Sequence, residues 1–132
     1  MVNVATFSLE TSREVSADAG IFTWDIEKNV LFADGALAEL FGLDPNETKM
    51  GLPLEAYLAR VHPQDRPELA RVISEAIIAE LPQQDTYRVL GSDGNFRVVA
   101  AFGKAFRDPE GIAILYSGIV VPAHGTADRL LN

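Results

Sequence analysis

The sequence predicts one α+β domain, an antiparallel sheet with helices packed on one of its faces. Three observations predict it. Two short strand-like stretches, Ile21–Ile26 and Val30–Ala33, lie near the start. A helical middle follows and ends in one long amphipathic stretch over Asp65–Glu80. Three further strand-like runs close the chain, joined by tight turns.

Residues 1–19 read as a flanking segment, with a short helix over Thr11–Ala19 as its one feature. From Gly20 the alternation of Ile21-Phe22-Thr23-Trp24-Asp25-Ile26 puts Phe22, Trp24 and Ile26 on one strand face. Glu27-Lys28-Asn29 turns the chain, and Val30–Ala33 returns. Asp34 suits a helix N-cap, because its carboxylate can accept from the free amides of the next turn. Ala36, Leu37, Leu40 and Phe41 follow helical spacing, and Gly42 suits a left-handed stop. Asp44-Pro45 opens another turn of helix. Leu54–Val61 reads as a short helix presenting Leu54, Tyr57, Leu58 and Val61.

The long helix over Asp65–Glu80 carries Leu69, Val72, Ile73, Ala76 and Ile77 on one stripe. Asp65 and Glu68 have the spacing of a capping box, and Pro67 fits only in the first turn. Thr86–Leu90 is the third strand, and Asp93-Gly94 suits a type I′ hairpin turn. Phe96–Lys104 or beyond is the fourth. Asp108-Pro109-Glu110-Gly111 suits a type I turn. Ile112–Val121 is almost wholly apolar, so it is expected at the centre of the sheet or covered on both faces. Residues 122–132 read as a tail or the start of a linker, with Pro122 stopping strand pairing.

The formal charge of −8 repels a phosphate backbone, and no basic stripe offsets it, which argues against nucleic-acid binding. No basic amphipathic face points to a membrane surface. With no cysteine, disulfides, thiolate nucleophiles and Cys-ligated metals are excluded. No apolar run approaches the ~18–20 residues of a transmembrane helix. The first residues do not resemble a signal peptide, so the cytoplasm is the expected location.

In order along the chain stand Gly20-Ile21-Phe22-Thr23-Trp24-Asp25, Leu40-Phe41-Gly42-Leu43, Val61-His62-Pro63-Gln64-Asp65-Arg66, Tyr87-Arg88-Val89 and Asp93-Gly94. Together they resemble the PAS domain family, in particular the subgroup common in bacterial sensor histidine kinases. Arg97, Gly103, Asp108, Gly111 and Gly118 fall at the expected later places, and the resemblance spans roughly residues 18–121. It implies a five-stranded antiparallel sheet in the order 2-1-5-4-3, with short helices and one long helix on one face. It also implies a sensory or regulatory role in signal transduction. The inner face and the helices would enclose a small cavity, which in this family holds haem, flavin, a chromophore, a metabolite or nothing. Phe22, Trp24, Leu37, Phe41, Leu58, Val72, Ile73, Ile77 and Tyr87 are the side chains expected to line it. Bulky residues such as Phe22, Trp24 and Phe41 could also close it.

The cofactor stays open, but some chemistries do not fit. A covalent flavin photosensor of this family needs a cysteine, so that chemistry is excluded. Haem sensors of the family ligate iron through a histidine on the long helix, where this chain has none; His62 reads instead as a residue ordering the turn before that helix. His124 lies in the tail. Two histidines and scattered carboxylates form no spaced metal-ligand set. No catalytic constellation is legible, so the chain itself is expected to be non-catalytic. Trp24 reads as core packing with one partner for its indole N–H.

The resemblance implies a homodimer formed through the N-terminal segment near Val4–Val15 and the outer sheet face, for which Val99 and Tyr116 are the outward residues expected. It also implies a signalling output domain or partner protein. The alternative is a ligand-free dimerisation module.

Overall fold

In the computed structural model, residues 19–79 and 81–123 are described. The expected Thr11–Ala19 helix, the Val4–Val15 dimer segment and His124 lie wholly or almost wholly outside them. The elements run β1 (Gly20–Asp25), β2 (Val30–Ala33), α1 (Gly35–Phe41), α2 (Pro45–Met50), α3 (Leu54–Leu58), α4 (Arg66–Ala79), β3 (Gln83–Leu90), β4 (Phe96–Arg107) and β5 (Ala113–Pro122). The strands form one antiparallel sheet in the order β2-β1-β5-β4-β3, as expected.

Local chemistry explains most boundaries. The Asp34 carboxylate accepts from the Leu37 amide at 3.0 Å and from the Ile21 amide at 3.1 Å, so one side chain caps α1 and ties it to β1. Gly42 ends α1 in the left-handed region at φ 64°. At the far end of α4, the Arg107 guanidinium donates to the Ile77 and Ile78 carbonyls, placing a cation where helix carbonyls run out of partners.

Several expectations are corrected by pairing between distant segments. Helix α3 stops at Leu58 because Val61 leaves it to form a β-bridge with Val89. The His62 amide then donates to the Arg88 carbonyl at 2.8 Å, and the Leu90 amide to Arg60. Asp65 does not form the capping box. Its carboxylate accepts from the Arg88 amide, Nε and Nη2, each at 2.9 Å, while Glu68 pairs with Arg71. Strand β3 begins at Gln83, three residues before the expected Thr86, because β4 extends far enough to pair with it.

The β3–β4 turn is not type I′. Among the described residues Asn29 alone has a positive φ outside glycine, so Asp93 cannot supply the first of the two positive angles. Instead the Gly94 amide donates to the Gly91 carbonyl, Gly94 takes φ 84°, and the Gly91 amide donates to Asn95. The turn at Asp108–Gly111 repeats this form, with Gly111 at φ 87°. Pro122 does not end the pairing either: the Ala123 amide donates to the Val98 carbonyl at 3.0 Å.

Strand β5 is central, but only one of its faces is deeply covered. Val99 and Tyr116 are not outward residues: they are 0% and 7% exposed and belong to the core. Tyr116 stands opposite Trp24 in the sheet register, on the inner face beneath the helices. The outward set on adjoining strands is Ile21, Ile119 and Phe102, with Phe32 and Phe106 flanking them.

Candidate functional site

The inner face of the sheet and helices α1, α3 and α4 enclose an apolar cavity of about 60 Å³. Strand β1 contributes Phe22 and Trp24, α1 contributes Leu37 and Phe41, α3 contributes Leu58, α4 contributes Ile73 and β3 contributes Tyr87. These are seven of the nine residues expected from the sequence. Val72 and Ile77 are brought elsewhere. Val72 is buried at 7% exposure and Ile77 packs partly buried against the core, and neither lines the cavity. Val72 directly precedes Ile73 and points about 100° away around the helix, and Ile77 lies one turn further on, so only the Leu69 and Ile73 part of the α4 stripe faces the space.

The lining also contains Leu69, expected there with the rest of the α4 stripe, and residues not singled out for it: Leu31, Leu54, Tyr57, Val61, Ala101, Tyr116 and Val120. Leu69 was legible as part of the α4 stripe. Tyr116 and Val120 were not, because β5 is apolar on both faces and its alternation is invisible in composition.

Polar groups at the margin hold the rings in place. The Trp24 indole Nε1 donates to Asn29 Oδ1 at 2.9 Å, which meets the need expected for that indole. The same Asn29 oxygen accepts from the Leu54 amide at 3.2 Å, and Asn29 Nδ2 donates to Glu55 at 2.9 Å. Asn29 thereby binds the β1–β2 turn to the start of α3 and fixes two lining residues. The Tyr57 hydroxyl donates to the Leu31 carbonyl at 2.9 Å, and burial pushes its pKa up to about 12. Phe22 and Tyr116 pack at a tilt of 37° with ring centroids 5.9 Å apart, and Phe41 and Tyr57 meet edge to face at 6.0 Å.

The Tyr87 and Tyr116 hydroxyls are also driven upward by burial, so all three lining tyrosines stay neutral near pH 7. Next to them lies Asp85, which points to the inner face two residues before Tyr87 and opposite Ala101 in the register. Its Oδ2 is buried without a hydrogen-bond partner among the described residues. Burial raises the Asp85 carboxyl above its ordinary value, and the charges of Glu68 and Asp65 add to the rise.

The arrangement is suited to holding a small apolar body. At about 60 Å³ the cavity is well under the ~150 Å³ that accommodates benzene in an engineered protein cavity, and far below the ~300–1,000 Å³ of ordinary ligand pockets. Haem or a flavin does not fit the cavity in this conformation. His62 stands outside the lining; its Nδ1 accepts from the Gln64 amide at 3.1 Å, and its ring packs on Phe96 at 4.8 Å. Among the described residues no group of three or more His, Cys, Asp or Glu side chains could hold a metal ion. None of their helices is long and apolar enough to cross a membrane.

A family model described as the PAS fold matches residues 30–120. A search of curated proteins finds no match. Among solved structures, the chain is similar to a sensory box histidine kinase/response regulator from Burkholderia thailandensis, with TM-score 0.74 and 19% identity over 93% of this chain and 88% of that one. It is similar to the N-terminal domain of a diguanylate cyclase with PAS/PAC sensor from Marinobacter aquaeolei, with TM-score 0.73 and 15% identity over 83% and 98%. The Cycle PAS-B domain of Drosophila melanogaster, solved with bound ethylene glycol, has TM-score 0.61 and 19% identity over 77% and 98%. At these identities the likeness is one of fold.

Proposed function

The chain belongs to the PAS fold family, and from that premise we propose that it is a non-catalytic regulatory module of a bacterial signalling protein, acting by self-association and by occupancy of its small inner cavity. The output partner in this reading is a histidine kinase, and the compartment is the cytoplasm.

One observation carries the association reading. Ile21, Ile119 and Phe102 lie side by side on three adjacent strands and are 56%, 38% and 39% exposed. Phe32 and Phe106 extend the surface at 43% and 45%. An apolar surface continuous across a sheet favours a partner that removes it from water. A second copy presents the same surface, which suits an isologous dimer. Sedimentation equilibrium over a concentration series tests this. The wild-type chain is expected to dimerise, and the double variant Ile119→Thr with Phe102→Ser to remain monomeric with its fold intact. A wild-type monomer at high micromolar concentration would defeat the association reading.

The cavity volume bears on the ligand. A space this small favours either a molecule of a few heavy atoms or a filled core with no ligand, in which case association alone is the function. Native mass spectrometry of protein purified from cells separates these. A retained small mass supports the sensing role, an apo mass supports the dimerisation module, and a bound flavin or haem overturns the size argument.

A further inference from the structure

Asp85 is a half-buried carboxylate at the edge of the core. It stands just beyond the cavity lining: its cross-strand partner Ala101 and its same-face neighbour Tyr87 both line the space. Oδ1 accepts from the adjacent Thr86 amide at 2.9 Å, whereas Oδ2 is buried and has no partner among the described residues. An ionised carboxylate only accepts hydrogen bonds, so a buried carboxylate oxygen is best satisfied by a donor.

The sheet directs Tyr116 toward the same place. Tyr116 pairs with Ala105, but its hydroxyl lies over Gly103, where an added Cβ would stand 2.5 Å from it. Gly103 pairs with Gln83 on β3, two residues from Asp85 on the same face. The absence of a side chain at Gly103 is what lets the phenol reach across β4 toward β3. Burial raises both the Tyr87 and Tyr116 hydroxyls, and the charge of Asp85 adds to the rise of each. Tyr87 and Tyr116 keep hydroxyl groups beside an otherwise apolar lining.

We propose that Asp85, with the Tyr87 and Tyr116 hydroxyls beside it, is the polar recognition element of the cavity, and that its ligand pairs a short apolar body with an ammonium group. The inference rests on the reading that the cavity takes a small molecule. An ammonium supplies a donor to Oδ2 and compensates the half-buried charge, which a neutral hydroxyl does not. The apolar lining takes the hydrocarbon part, and the volume limits it to a few carbon atoms.

The experiment is a ¹H–¹⁵N NMR titration of the folded chain with n-propylammonium chloride and, separately, with 1-propanol, which has the same shape and no charge. Both are expected to shift the amides of the lining residues, with the ammonium binding at least about tenfold more tightly, as a charge-assisted hydrogen bond provides. In Asp85→Asn that preference is expected to vanish while propanol binding persists. In Tyr116→Phe, which keeps the ring, it is expected to shrink severalfold. Equal binding of amine and alcohol to the wild type, or a preference that survives Asp85→Asn, overturns the recognition role and leaves the cavity reading standing. Shifts from neither probe overturn both.

Discussion

On the inner face of the sheet, Phe22, Val99, Tyr116 and Val120 are at most 7% exposed, whereas on the outer face Ile21, Phe102 and Ile119 are at least 38% exposed. Both sets are apolar and both come from the same strands. What separates them is the alternation of side chains across the pleat and the choice of which face receives the helices. Apolar content places a strand at the centre of a sheet without saying how both of its faces are covered. The inner face is filled to within a small cavity; the outer face keeps these apolar side chains partly exposed.

The largest expected effect tests the inner face. A Cβ at Gly118 would run into the Phe102 carbonyl and stand 2.8 Å from Gly103 Cα. Backbone cannot move aside as a side-chain tip can, so Gly118→Ala is expected to cost about 3 kcal/mol or more, seen as a collapse of the urea midpoint. A midpoint near wild type would mean that β4 and β5 pack less tightly than described.

Next in size is the contrast between faces. Leu37, 1% exposed, lines the cavity, and Leu37→Ala is expected to cost about 3 kcal/mol. Ile119→Thr keeps β-branching on the open face and is expected to stay within about 0.5 kcal/mol, when measured in dilute protein where association does not contribute. Equal losses would break the comparison, because the outer face would then be covered within a single chain.

The smallest effect concerns two aspartates that β3 places in opposite environments. Asp65 is held below its ordinary value by hydrogen bonds from Arg88, so its contribution is present above about pH 3.8 and is lost as pH falls through the lowered folded value. Asp85 is raised, chiefly by burial, so the native state binds the proton more tightly. Stability therefore increases as pH falls through the raised value toward 3.8. Glu68 and Asp65 strengthen that rise, Arg71 opposes it, and Tyr87 and Tyr116 remain neutral throughout. Urea midpoints across this range are expected to rise on acidification in the wild type and to lose that rise in Asp85→Asn. A rise of equal size in the variant would assign it to other carboxylates.

Features written between near neighbours were legible in the amino-acid order alone. Asp34 caps the helix three residues on, Gly42 stops it, and the α4 stripe follows its own turn. The turns at Gly94 and Gly111 stand where glycine permits a positive φ. The strand order was legible only through the family landmarks, since composition alone marked β5 as central and nothing more. Tertiary structure decided whatever depends on distant partners. Val61 leaves its helix for Val89, Asp65 gives its carboxylate to Arg88, and Tyr116 faces inward because β1 pairs with β5 in one register. Thr23 and Ser117 hydrogen bond at 2.9 Å across 94 residues of sequence. Periodicity reports the direction of a side chain relative to its own backbone. Which of two apolar faces meets the helices, and how much space remains between them, is set by the packing of all the elements at once.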